Sequence, residues 1–241
     1  MKVKTVVETS DSRWTAASGL LFIAAWVVGL VIASPPPATA PTSSVFAYYQ
    51  ANREIAMLQS YLISGVTGAA LIVFSAALRS ALHRFEGESS TLSSILLGAG
   101  MVAASLSFLE ALFAQVLANH IAATGDAVAI RTLMELNVEI DTFKLPTLAL
   151  MIGAVSLLAL RTGALPRWIA WAGAVESLLL VVASWSFPLN SDLLAIVLYV
   201  SGIGLLLWVA MVSITMVRPA LRHEVSAQAN GTKAQSAISQ L

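Results

Sequence analysis

The chain contains no cysteine. That excludes disulfides, thiol nucleophiles and zinc–thiolate sites. Its three histidines, His83, His120 and His223, include no pair four positions apart, so the sequence offers no histidine metal site. Charge is also scarce. Only 11% of the 241 residues are charged, whereas soluble domains average about 25%. Thirteen basic and thirteen acidic residues cancel, and without a basic excess nothing points to nucleic acid as a partner. No phosphate-cradling glycine loop, nucleophile elbow or H-E-x-x-H pair is present, and Gly202-Ile203-Gly204 is too short to be a dinucleotide fingerprint. The pattern calls for neither a metal nor a cofactor.

What the chain has is apolar length. Hydrophobic residues make up 58% of it, and its mean hydropathy is +0.83. A bilayer crossing needs about 20 apolar residues. Six stretches qualify, at 14–34, 54–78, 92–119, 138–160, 168–187 and 193–217. The expected fold is all-α, a polytopic bundle of six transmembrane helices occupying 14–217. It is flanked by a cytoplasmic segment, 1–13, and a disordered cytoplasmic tail, 218–241. Ala38-Thr39-Ala40 resembles a signal-peptidase site, but the apolar run before it exceeds the usual 7–15 residues. Pro41 follows directly, so the first span reads as a retained anchor.

An even number of spans puts both termini on one side. Ten basic residues fall on that side: Lys2, Lys4, Arg13, Arg79, Arg84, Arg161, Arg167, Arg218, Arg222 and Lys233. Three, Arg53, Arg131 and Lys144, fall on the other. Basic residues mark the cytoplasmic face, so both termini are expected inside and 35–53, 120–137 and 188–192 outside, in a bacterial plasma membrane. Trp14, Trp168 and Trp171 at the inner boundary, and Tyr48, Tyr49 and Trp185 at the outer one, fit aromatic belts. The first outer loop is rich in proline and cannot form a regular helix. Residues 45–53 read as an outer extension of the second helix. Ser90 or Thr91 is positioned to cap the third. Small residues predict close helix contacts at Ser64, Gly65, Gly68 and Ala69, at Gly98, Ala99 and Ala103, and at Ala170, Gly173 and Ala174.

The ionisable residues within the spans carry the functional information. Glu110 falls roughly 13 Å below the outer end of its helix, and Glu176 roughly 12 Å from the inner end of its own, at 1.5 Å per residue. A charge at the bilayer centre costs about 2.5–3.5 kcal/mol on insertion scales. Such groups should turn to one another or to a wet cavity. Lys144 is the one cation at that depth, with Asp141 at i−3 and Glu110 as its candidate carboxylates. Pro146 frees the carbonyl of Thr142. These features predict an outward-opening polar pocket walled by Gln59, Glu110, Gln115, Glu139, Asp141 and Lys144 and roofed by Tyr49 and Arg53. A purely structural reading competes with it. Glu139, Asp141 and Lys144 would then be interfacial, with the span starting at Leu145, and the Glu110–Lys144 pair would only fix helix register. Glu176 has no evident cation in the sequence.

The run FAYYQANREIAMLQSYLISGVTGAALIVFSAALRSAL (46–82) and the run LPRWIAWAG (165–173), together with the six-span layout, resemble bacterial integral membrane proteins of unknown function that are common in actinobacteria. The resemblance implies a six-helix membrane fold and carries no catalytic residues. A weaker resemblance is to small integral-membrane terpene cyclases, compact bundles that use acidic side chains to protonate a lipophilic substrate. Three functions follow as expectations. One is binding of a lipid or small amphiphile in the outer pocket. Another is acid–base catalysis on a lipophilic substrate, with Glu110 or Glu176 as acid and Asp141 or Glu139 as base. The third is proton-coupled transport of a small molecule.

Overall fold

In the computed structural model the described residues are 2–37, 39–87, 90–121, 124–189 and 191–238, with side chains described from 13 to 216. The expected N-terminal segment and C-terminal tail therefore lie, for their side chains, outside the described residues. The elements are α1 (Lys2–Ile32), α2 (Thr42–Ser60), a π-helical turn (Tyr61–Val66), α3 (Thr67–Glu86), α4 (Thr91–Val116), a second π turn (Leu117–Ile121), α5 (Ala127–Thr162), α6 (Arg167–Ser184), the short α7 (Ser186–Leu189) and α8 (Asp192–Ile238). No strand occurs among the described residues. Six helical segments are long and apolar enough to cross a membrane, α2 and α3 forming one of them.

Close contacts between neighbours give the topology. Gln59 reaches Gly29 on α1, and Gly19 lies against both Phe74 on α3 and Ser213 on α8. Ser64 meets Glu110 on α4, Gly100 abuts Met151 on α5, Ser177 on α6 donates to the carbonyl of Ala149 at 2.7 Å, and Gly173 abuts Trp208 on α8. Each span runs antiparallel to the one before it, and the sixth closes onto the first. The result is a ring of six helices in chain order. The end that carries both termini is called here the near end, and the other the far end.

The two halves of the ring differ. The near half is filled by a continuous core that includes Phe74, Leu78, Leu82, Leu96, Met151, Ile152, Leu158, Ile169, Trp208 and Val212. Trp208 is only 1% exposed. The outward faces carry exposed Leu20, Val28, Met101, Leu109, Leu178, Ile196 and Leu207, an apolar surface of the kind that contacts lipid. Trp14, Trp168 and Trp171 are exposed at the near end and Trp185 at the far end.

The helix ends have identifiable causes. After α1 the Pro35-Pro36-Pro37 run has no N–H groups to continue a helix. Gly163, at φ 70°, closes α5 in the left-handed conformation that glycine adopts without cost. The start of α4 departs from expectation. Ser90 occupies the N-cap position, but its side chain makes no capping hydrogen bond. Glu86, from the end of α3, accepts from the backbone N–H groups of Leu92 (2.6 Å) and Ser93 (3.0 Å). A carboxylate at that position also faces the positive end of the helix dipole.

The far end is more ordered than the sequence suggests. The segment 120–137, expected as a loop, is helical from Ala127 onward because the Asp126 side chain accepts from Val128 and Ala129 N–H groups at 3.0 and 3.1 Å. Ile130, Leu133 and Met134 then form an apolar stripe that packs with Val45, Leu117 and Tyr49. Polar residues between them, among them the exposed ion pair Arg131–Glu135, hide that stripe from a hydropathy window. The outer extension of the second helix is present, starts at Thr42, and kinks at Asn52 (φ −125°, ψ 26°).

Small residues do bring helices together, at partly different positions. Gly68 lies 3.2 Å, measured from where a Cβ would sit, from the Ala104 carbonyl oxygen, and Gly100 sits against Ser75. A methyl group on Gly98 would meet nothing, and Ala69 is exposed.

Candidate functional site

The far half of the ring encloses a cavity of about 470 Å³. All six spans line it. Its polar wall is made by Glu110 on α4 and by Asn137, Asp141 and Lys144 on α5, with Ser64 from the first π turn, Thr67 from α3 and Ser107 from α4 beside them. Its apolar wall includes Phe22 and Trp26 from α1, Ile63, Leu148, Leu180, Phe187 and Leu205.

Helical period explains the polar wall. Residues 137, 141, 144, 145 and 148 recur at steps of three and four, so they share one face of α5. Lys144 is held on both sides. Its Nζ lies 2.6 Å from Asp141 Oδ1 and also donates to Glu110 Oε1. Ser64 Oγ donates to the other Glu110 oxygen at 3.2 Å. Ser64 belongs to the wide π turn, a feature that recurs at functional sites because it re-aims side chains within a helix. The side chains are 7% exposed for Glu110, 17% for Lys144 and 32% for Asp141. Asp141 is therefore the member of the triad most open to an arriving group. Asn137 Oδ1 is buried with no hydrogen-bond partner.

The mouth lies at one seam. Leu30, Tyr199 and Ile203 line the cavity and are themselves exposed. They sit along the junction of α1 and α8, where Gly202 lets the Trp26 ring approach. Of the spans, α8 is the least enclosed, with 22% of its apolar window buried against 39–56% in the others. The opening thus faces sideways into the apolar belt of the molecule.

Three of the expected wall residues, Glu110, Asp141 and Lys144, meet at this cavity, and five do not reach it. Gln59 donates to the carbonyls of Gly29 (3.1 Å) and Ala33 (2.9 Å), satisfying acceptors left open where α1 ends. Gln115 donates to the Met57 carbonyl (2.7 Å) and Ser60 Oγ (2.9 Å), tying α4 to α2. Arg53 is exposed and holds Asn119 Oδ1 at 2.6 Å and 3.2 Å. Tyr49 packs in the small far-end cluster and does not roof the cavity. Glu139 is exposed and accepts from Thr142 at 3.4 Å. It lies two residues from both Asn137 and Asp141, about 200° around the helix, and so on the opposite face. Ser64 and Asn137 were not among the expected residues. Asn137 had a usable signal, since it precedes Asp141 by four and Lys144 by seven.

Glu176 is not part of this cavity. It is 5% exposed, midway along α6, with Oε1 unpartnered. Its carboxylate presses on Gly204 of α8, where a methyl group would overlap it. Ser156 Oγ and Trp208 Nε1, both unpartnered, flank Gly173 one turn away.

No protein-family model, no curated protein and no solved structure matches the chain.

Proposed function

We propose that this chain is a multi-pass protein of a bacterial plasma membrane, with both termini in the cytoplasm, that holds a lipid or small amphiphile in its far-half cavity. One observation carries the reading: a hydrogen-bonded ionic triad, largely enclosed, on the wall of a mostly apolar chamber. Intramembrane ionisable groups are functional candidates by default, and a few convergent polar groups in an apolar pocket suit an amphiphile. The sideways mouth suits entry from the bilayer. The near half is filled by packed side chains such as Phe74, Met151 and Trp208, which weighs against transport. Acid–base catalysis of the terpene-cyclase kind is the second reading, favoured by Glu110 and Asp141 facing the same apolar chamber; Glu176, lying outside it, has no part in that reading.

The test is purification in native lipid followed by mass spectrometry of what co-purifies, for the unmodified chain and for Leu148→Trp, which fills the chamber. A bound amphiphile that the variant loses while staying as stable supports the proposal. A variant destabilised by about 1–3 kcal/mol, the usual cost of overpacking a full interior, together with no co-purified molecule, overturns it. Conversion of the amphiphile on incubation establishes the catalytic reading.

A further inference from the structure

We infer that the head group the cavity selects is a hydrogen-bond-donating cation, a primary amine on an apolar tail, and that it rejects phosphate and carboxylate heads. This rests on the binding proposal above and names the ligand's chemistry. The wall holds more acceptors than cations: the carboxyl groups of Glu110 and Asp141 share one ammonium, Lys144. That ammonium already donates to both carboxylates, so an anionic head would have to displace one of them and then sit beside the charge it displaced. The unmet capacity of the wall is for accepting. Asn137 Oδ1 is buried without a donor, and it lies one turn from Asp141 on the same helix face. Asp141 is the triad's most open member and as a carboxylate only accepts. An ammonium supplies three donors and meets these acceptors together. Phe22 and Trp26 line the same chamber, and an aromatic ring favours a cation over an anion at its face.

The test uses the full chain in nanodiscs and four probes with the same tail: dodecylamine, dodecanol, dodecanoate and dodecyl phosphate. Binding is read by calorimetry below micelle-forming concentrations. Dodecylamine is expected to bind most tightly. Asp141→Asn should weaken it about tenfold, the scale of one lost charge-assisted hydrogen bond, and change dodecanol much less. Asn137→Leu should act in the same direction and serves if the first variant does not fold. Glu139→Gln, on the opposite face, should leave dodecylamine binding as it was. Equal binding of all four probes, or tighter binding of phosphate or dodecanoate, overturns the amine inference and leaves the cavity proposal standing. Binding of none of the four removes both.

Discussion

Glu110 and Glu176 are equally buried, at 5% exposure each, yet their settings differ: one lines the cavity, the other lies outside it, pressed on Gly204 of a neighbouring helix. Glu110 has a lysine on one oxygen and a serine hydroxyl on the other. Glu176 has an unpartnered oxygen and a glycine cut away to make room for it. Burial alone does not mark a candidate site in an apolar helical bundle. What marks it is partners of opposite sign placed around space.

The largest effect should come from removing the cation. Lys144→Met leaves two carboxylates facing each other without compensation and should cost about 3–5 kcal/mol of stability, read by thermal unfolding in nanodiscs. Adding Glu110→Gln to that variant should recover part of the loss. Full stability of the single variant would mean the triad is not formed. The next effect belongs to Glu176. Gly204→Ala drives a methyl group into the Glu176 carboxylate and should cost about 1–3 kcal/mol, relieved when Glu176→Ala is added. A cost that survives the second substitution would separate Gly204 from Glu176. The matched amide variants sharpen the contrast most simply. Glu110→Gln should cost about 1–3 kcal/mol, because Lys144 and Ser64 lose a charged acceptor. Glu176→Gln, losing no ion pair, should stay within about 1 kcal/mol in the same assay. Equal costs would erase the distinction.

Six apolar runs and the Glu110–Asp141–Lys144 grouping were legible in the sequence, because spanning length and the cost of lone charges are local, strongly patterned constraints. The bounds of the pocket were not. Gln59 and Gln115 are polar at the right depth, but their use as ties between backbones depends on where α1 ends and where α2 lies, which no periodicity states. Glu139 shares a segment with Asp141 but not a face. Asp126 is a cap signal overlooked because the segment after it alternates charge with apolar residues. The sideways mouth depends on how loosely α8 joins α1, a property of packing between the two ends of the chain.

The far half of the ring is hollow and the near half filled. The absence of native cysteine makes single-cysteine labelling the most direct measurement. Ser64→Cys and Ser107→Cys place a thiol on the cavity wall, while Ser156→Cys and Ser213→Cys place one in the packed half, all four sites being buried. With a small membrane-permeant maleimide the first pair should be modified in native membranes and the second only after unfolding. Equal modification of all four, or protection of the first pair, would contradict it.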